Sequence, residues 1–269
     1  MNAIAMTTWG ALPALQITSA DGASAIVTLY GAHLVSWRGA DGAERLFCSA
    51  RSARDGSAAI RGGVPVIFPQ FAERGDGMRH GFARVSTWRL ADSGAGEQGT
   101  FAVFVLTRPD LAPAVAATWE HGFELRLTVA LQGQTLSLNL DVRNTGDDDF
   151  AFSAALHTYF AVDAIGAVRI KGVEAGALRI NDKFDRIYRD ASAGIMLTHG
   201  GGALTLIQSG FRDAVIWNPG AADTASLADM QDDDYQRFVC IEPALIVPAS
   251  LQPGAAWRGE HQVTVSSIP

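Results

Sequence analysis

Apolar and polar residues alternate in short runs through most of the chain, and glycine, aspartate and asparagine separate the runs. Such alternation predicts half-buried strands, because successive side chains of a strand point to opposite faces. The predicted strands lie in "SAIVTLYGAHLVSW", "TFAVFVLT", "AFSAALHTYFAV", "LTLIQ", "DAVIWN", "RFVCIEP" and "RGEHQVTVSS". The stretch "FELRLTVALQGQTLSLNLDVRNTG" predicts a hairpin that turns at "QGQ".

Helical periodicity is scarce, and "DLAPAVAAT" predicts at most one short turn of helix. Many strands without alternating helices favour an all-β fold, a large antiparallel β-sandwich, over a doubly wound fold. We find no internal repeat or long linker, and we interpret "DSGAGEQG" as a flexible hairpin loop. The sequence therefore predicts a single domain over residues 1–269.

Composition excludes several functional classes. The chain is 48% hydrophobic and 18% charged, which is typical of a globular protein. A formal net charge of −7 argues against nucleic acid as a partner. No apolar run reaches the roughly 20 residues of a membrane span, and the first residues lack a signal-peptide pattern. With two cysteines only, we expect a cytoplasmic protein without a membrane partner, and a monomer.

A histidine interrupts the apolar run "ALHTYF" at positions 155–160. In a strand, His157 shares one face with Ala155 and Tyr159, while Leu156 and Phe160 lie on the other. A lone histidine among core residues is more often structural than catalytic, so this position alone decides nothing.

A glutamate ends a second buried run, "RFVCIEPA" at 237–244. A buried carboxylate costs several kcal/mol unless it is paired, and burial raises its pKa towards the range of a general base. The alternative is that Glu242 caps a turn at the end of the strand. Cys240 shares its face, and we interpret that cysteine as a small buried apolar residue rather than a nucleophile.

Arginines gather in "IRGGVPVIFPQFAERGDGMRHGFARVSTWRL" at 60–90. Glycines in "RGG" and "HGFAR" permit close backbone approach, and two prolines place "VPVIFPQF" at a sheet edge or in a loop that lines a cleft. Guanidinium groups suit phosphate or carboxylate ligands. The alternative is a surface loop in a chain that uses arginine far more than lysine.

The ordered set "IRGGVPVIFPQF", "HGFAR", "LHTYF", "VIWNPG", "LADMQDDDY" and "CIEPA" resembles the glucose-6-phosphate 1-epimerases of the aldose 1-epimerase superfamily over roughly residues 20–265. The resemblance implies a galactose-mutarotase-like β-sandwich. It also implies an isomerase that interconverts the α and β anomers of a sugar through ring opening, without metal or cofactor.

The resemblance also implies roles for individual residues. His157 would protonate the ring oxygen as general acid, and Glu242 would take the proton of the anomeric hydroxyl as general base. We expect the two to face each other across a pocket wide enough for a pyranose. The residues implied to bind the substrate, a small-molecule sugar phosphate, are Arg61 and Arg84 at the phosphate and His80 and Asp185 at sugar hydroxyls.

Several positions depart from the family pattern. Arg79 stands where a neutral residue usually precedes "HG", and would strengthen the grip on phosphate or change the sugar accepted. "FPQFA" replaces a more aromatic stretch, and "WNPGAADTA" lacks a bulky residue after its proline. Trp217, in that segment, is the tryptophan that we expect near the sugar.

Two alternatives to a hexose-6-phosphate mutarotase stay open. One is a mutarotase for a neutral sugar, with arginines that serve the structure; the other is a non-catalytic carbohydrate-binding protein. The remaining histidines lack the spacing of metal ligands, and we interpret the acidic run "QDDDY" at 231–235 as a solvated loop, so we predict no catalytic metal.

Overall fold

The computed structural model describes residues 3–97, 99–191, 194–200 and 202–266. About 52% of the chain is strand and 8% is helix. All pairings between the strands of the described residues are antiparallel. The prediction of an all-β antiparallel sandwich is therefore confirmed.

The strands are, in chain order, β1 (Ile4–Trp9), β2 (Leu12–Thr18), β3 (Ser24–Thr28), β4 (His33–Arg38), β5 (Val66–Ile67), β6 (Arg89–Gly96), β7 (Gly99–Thr107), β8 (Phe123–Gln132), β9 (Thr135–Asn144), β10 (Phe150–Leu156), β11 (Tyr159–Ala161), β12 (Arg169–Lys171), β13 (Phe184–Tyr188), β14 (Ile195–His199), β15 (Gly202–Ser209), β16 (Asp213–Asn218), β17 (Phe238–Leu251) and β18 (Ala256–Ser266). The helices are short: α1 (Pro113–Ala116), α2 (Gly220–Thr224) and 3₁₀ turns at Ala83–Val85, Arg108–Asp110, Ile165–Ala167 and Asp234–Arg237.

The strands form three sheets. A four-stranded sheet has the order β1-β2-β3-β4, and an eight-stranded sheet has the order β12-β14-β15-β18-β9-β8-β7-β6. A six-stranded sheet has the order β13-β16-β17-β10-β5, and β11 also pairs with β17. The two-residue β5 thus lies at a sheet edge, as its flanking prolines predicted.

Local predictions hold with one exception. The β8–β9 hairpin turns at the predicted glycine, and α1 is the expected single turn. The stretch "DSGAGEQG" does lie in a hairpin, between β6 and β7, but the prediction of a loop over its whole length is wrong, because residues 92–96 belong to β6 and pair with β7. Strand propensity depends on context, and the small residues of β6 form a strand because they pair with the buried, apolar β7. Gln98 lies outside the described residues.

The core lies on one face of the six-stranded sheet. The largest apolar cluster takes in residues from all three sheets, including Leu156, Phe160 and Ile241 of the six-stranded one. Since side chains alternate along a strand, the other face carries Tyr159 and Cys240. That face holds two smaller apolar clusters, centred on β5, β10 and β16 at one end and on β11 and β17 at the other.

Within the described residues, no helix is both long enough and apolar enough to cross a membrane.

Candidate active site

The register of the six-stranded sheet brings the predicted acid and base together. Ala155 pairs with Ala244 and Tyr159 with Cys240, so His157, in the break between β10 and β11, lies opposite Glu242 on β17. The backbone N–H of His157 donates to the Pro65 carbonyl at 3.0 Å, which ties this break to the segment before β5. His157 Nδ1 lies 3.4 Å from Glu242 Oε1.

Both groups are withdrawn from solvent. The side chain of His157 is 11% exposed and that of Glu242 is 1% exposed. Burial, with a contribution from the charge of Asp185, raises the pKa of Glu242 well above its usual range. Burial lowers the pKa of His157 well below its usual range, and the charges of Arg61 and Arg84 act in the same direction. Both shifts favour the uncharged forms, a protonated Glu242 beside a neutral His157, over a carboxylate–imidazolium ion pair.

The two side chains are close, but each keeps a polar atom without a hydrogen bond to any described residue. Within the described chain, His157 Nδ1 and Glu242 Oε2 are buried without a hydrogen-bond partner. A separation of 3.4 Å also leaves no room for a pyranose between the two groups, contrary to our expectation. His157 is the more accessible of the two groups, and its exposed edge is the side from which a ligand could reach the pair.

Aromatic rings fix the imidazole of His157. Tyr159 stacks on it, with ring centroids 5.0 Å apart and planes 11° apart. Trp217 meets it edge-on at 5.9 Å, and His80 meets it edge-on at 5.5 Å. Phe71 packs against His80 in turn, at 5.3 Å. These contacts leave the ring of His157 little freedom to turn away from Glu242.

Arg61 is held from two sides. Its Nε donates to Asp229 Oδ2 at 3.0 Å, and its Nη1 donates to the Tyr159 hydroxyl at 3.2 Å. The glycine at 63 lets the chain turn here: its φ is +59°, and a Cβ would overlap the carbonyl oxygen of Leu34. A guanidinium carries five N–H donors, so Arg61 keeps donors free for a ligand.

Arg84 has no acidic partner among the described residues. Its Nη2 donates to the Arg79 carbonyl at 2.9 Å, and its Nε is buried without a partner. Burial and the nearby Arg61 charge lower the pKa of Arg84. The side chain of Arg79 is 67% exposed and lies 4.0 Å from Glu73, so it sits at the rim and not within the site. A half-buried, unpaired guanidinium next to a second one is a site that an anion would stabilise.

His80 is buried with a fixed tautomer. Its backbone N–H donates to the Ala72 carbonyl at 2.9 Å, and its Nδ1 accepts from the Ala72 N–H at 3.3 Å. Burial, followed by the charges of Arg84, Arg79 and Arg61, lowers the pKa of His80 to about 3. The ring is therefore neutral, and its Nε2–H is available as a donor.

The edge of the site away from β5 carries the remaining predicted residues. Asp185 on β13 pairs in register with Trp217 on β16, and β16 pairs in turn with β17. Asp185 is exposed, and its charge reaches Glu242. The structure thus gathers the predicted residues around one pair, with Arg79 at its rim.

Sequence reasoning missed two contributors. Tyr159 was taken as core, although the alternation already placed it on the face of His157. Asp229 accepts a hydrogen bond from Arg61. It lies in the motif "LADMQDDDY", but nothing in the sequence predicted that contact. Cys240 is fully buried, as its sequence position predicted, and its Sγ lies within 4.8 Å of a ligand atom of His157 and of Glu242.

The acidic run is not a wholly solvated loop. Asp234 is 1% exposed. It accepts hydrogen bonds from the Ser49 hydroxyl and the Gln231 N–H, both at 2.8 Å, and pairs with Arg237 at 3.1 Å. The solvated-loop interpretation is wrong for this residue, because its carboxylate organises the loop that carries Asp229.

The family model for aldose 1-epimerase matches residues 13–182. The chain belongs to the aldose 1-epimerase family. A relative in Cenchrus ciliaris, named "Putative glucose-6-phosphate 1-epimerase", is 32% identical over 268 residues, covering 90% of this chain and 81% of the relative. An Escherichia coli K12 protein of the same name is 33% identical over 238 residues, covering 80% and 78%.

Solved structures agree with the fold. The crystal structure of a "putative mutarotase" from Salmonella typhimurium superposes with a TM-score of 0.88 at 26% identity, covering 100% of this chain and 95% of that one. The enzyme is an isomerase of the epimerase type, as the motifs predicted.

Proposed function

We propose that this epimerase interconverts the α and β anomers of a hexose 6-phosphate, with glucose 6-phosphate as its substrate. The observation that carries the proposal is the buried His157–Glu242 pair, 3.4 Å apart, beside two guanidinium groups of which one has no acidic partner among the described residues. The names of the relatives support the same substrate.

The pair suits ring opening because the two reacting oxygens of the sugar are bonded to the same carbon. Glu242 as carboxylate takes the proton of the anomeric hydroxyl, while His157 as imidazolium gives its proton to the ring oxygen. The bond from the anomeric carbon to the ring oxygen breaks, and an open-chain aldehyde forms. After rotation about the adjacent carbon–carbon bond, the same two transfers run in reverse and close the ring on the other face.

Burial raises the pKa of Glu242 and lowers that of His157, so it favours the carboxylic acid and neutral imidazole that ring opening produces. Ring opening converts the carboxylate–imidazolium pair into a carboxylic acid and a neutral imidazole, and closure restores it. The pair therefore carries one proton throughout and needs no exchange with solvent. Each group should contribute a factor of about 10² to 10⁴ to the rate.

The arginines would supply binding and orientation. A charge-assisted hydrogen bond contributes about 1.5–3 kcal/mol, and guanidinium groups bind phosphate in a defined geometry. Arg61 is already oriented by Asp229 and Tyr159, so little order is lost when phosphate binds. His80 Nε2–H, Asp185 and Trp217 are the groups that we propose contact the sugar ring.

We further propose a monomer in a reducing compartment. Both cysteines are free, with Cys240 buried, which supports that setting. Size-exclusion chromatography with light scattering tests the monomer, and a stable dimer at micromolar concentration would contradict it.

A substrate panel tests the activity. Freshly dissolved α-glucose 6-phosphate, α-glucose and α-galactose are followed by polarimetry with and without protein. We expect rapid equilibration of the phosphorylated sugar and slow equilibration of the neutral ones. Equal acceleration of all three would make this a mutarotase for neutral aldoses, and no acceleration by folded protein would leave a binding protein.

A further inference from the structure

A third potential ligand lies beside the acid–base pair. Cys240 and Glu242 are two residues apart on β17, so both side chains leave the same face of the strand. Cys240 Sγ, an imidazole nitrogen of His157 and a carboxylate oxygen of Glu242 all lie within 4.8 Å of one another. The proposed reaction gives the thiol no role.

Two of these three groups have polar atoms that no described residue satisfies. His157 Nδ1 and Glu242 Oε2 are both buried without a hydrogen-bond partner. Burial of such atoms is unfavourable until a ligand meets them. The side chains of both residues lie beside the thiol, so one ligand could bind all three side chains.

The donor set selects the class of ligand. One nitrogen, one sulfur and one oxygen suit Zn²⁺ and similar borderline-soft divalent cations, whereas Mg²⁺ and Ca²⁺ prefer oxygen alone. Zinc bonds of about 2.0–2.3 Å in a tetrahedron place neighbouring ligand atoms about 3.3–3.8 Å apart. The 3.4 Å between His157 Nδ1 and Glu242 Oε1 matches that edge, and a ligand atom of each of the three residues lies within 4.8 Å of the others, so small side-chain shifts would complete the set.

We propose that a zinc-class cation binds to His157, Cys240 and Glu242 and reversibly inhibits the epimerase. The inhibitory part rests on the proposed function. The metal would occupy the lone pairs that accept and return the proton, so it blocks the reaction and is not its cofactor. Binding displaces the thiol proton, and the metal competes with protons for the imidazole and the carboxylate, so affinity rises with pH.

Cobalt(II) tests the site without reference to activity. Tetrahedral Co²⁺ gives intense visible bands, and a bound thiolate adds a sulfur-to-metal charge-transfer band. We expect one equivalent of Co²⁺ to produce both in the wild type and in Cys48→Ala, which removes the other cysteine. In Cys240→Ala the charge-transfer band should vanish, and the affinity for Co²⁺ should fall by about tenfold or more. Removal of a residue that only hydrogen-bonds to a metal ligand already lowers metal affinity by about that factor.

Three results would overturn the site: no Co²⁺ binding by the folded wild type, a charge-transfer band that persists in Cys240→Ala, or a band that is lost in Cys48→Ala. Cys240→Val, closer in volume, replaces the alanine variant if that variant does not fold.

The inhibition assay separates this inference from the function. Zn²⁺ is titrated into the glucose 6-phosphate reaction, with each variant scaled to its own metal-free rate. We expect inhibition that competes with the sugar and is reversed by a chelator, with about tenfold more Zn²⁺ needed for Cys240→Ala. Equal sensitivity of Cys240→Ala and wild type would refute the site while the epimerase activity stands. If no activity exists, the cobalt spectra still decide whether metal binds.

Discussion

Replacing Arg84 with glutamine should weaken the binding of a sugar phosphate and leave the acid–base pair in place. The guanidinium of Arg84 has one hydrogen bond, to the Arg79 carbonyl, and no acidic partner among the described residues. Its removal therefore leaves no carboxylate without an ion-pair partner, and a glutamine amide can still donate to the Arg79 carbonyl. The fold should therefore survive, whereas loss of an arginine from a buried ion pair would leave a buried charge unpaired.

The magnitude follows from the contact that is lost. A charge-assisted hydrogen bond to phosphate contributes about 1.5–3 kcal/mol, which corresponds to a loss of about 10- to 150-fold in kcat/KM. Most of this should appear in KM, because the phosphate lies away from the reacting carbon and binds similarly in ground and transition states. For glucose, which has no phosphate, kcat/KM should change by about threefold at most.

Coupled-enzyme or polarimetric rates on both sugars give the two values of kcat/KM, and thermal unfolding checks the fold. Arg89→Gln is a matched control, because Arg89 pairs with Asp110 at 2.7 Å on the surface. It should leave the preference for phosphate unchanged. The reasoning is refuted if Arg84→Gln keeps the wild-type preference for phosphate, or if it slows both sugars equally.

Three further changes test other parts of the account. Glu242→Gln should lower kcat by about 10² to 10⁴ without lowering the unfolding temperature, because burial already favours the neutral form of this side chain and glutamine is neutral and of similar size. A stopped assay gives kcat and calorimetry gives the unfolding temperature; a large fall in that temperature would argue for a structural carboxylate. Asp229→Asn should raise KM for glucose 6-phosphate about two- to tenfold, because Arg61 loses the carboxylate that orients it, and kcat should stay nearly constant. Asp141→Asn, which alters the surface ion pair with Arg258, is the control. Burial lowers the pKa of His33 to about 4; the unfolded chain therefore binds the proton first, and stability should fall as the pH drops from about 6.5 to 4, by about 2 kcal/mol at pH 5 from this residue. Urea unfolding at pH 7 and pH 5 should show a smaller loss for His33→Gln, and an equal loss would contradict the assignment.

Local patterns were enough to predict many of the strands, but β1, β2, β12, β13 and β14 were not among those predicted. Alternation located β7, β8, β9 and β16, because each buries one face or both and its signal lies within ten residues. Alternation also placed His157 and Tyr159 on one face. The same logic failed for β6, where glycine and serine give no apolar signal and a neighbouring strand imposes the structure.

The candidate site was only partly predictable for a related reason. That His157 lies opposite Glu242 depends on the register of β10 and β11 with β17, which no local pattern contains. The resemblance to a family supplied the pairing, but not the separation of 3.4 Å that excludes a sugar from the space between. The contact of Asp229 with Arg61 likewise joins distant segments, and only the fold reveals it.

The most direct test of the central claim is exchange NMR between the α and β anomeric signals of glucose 6-phosphate. The wild type should exchange the two signals far faster than buffer, and Glu242→Gln should bring the rate down by about 10² to 10⁴ while it remains folded. Exchange at the spontaneous rate with folded wild-type protein, or undiminished exchange with Glu242→Gln, would contradict the assignment of this pair as the proton carrier.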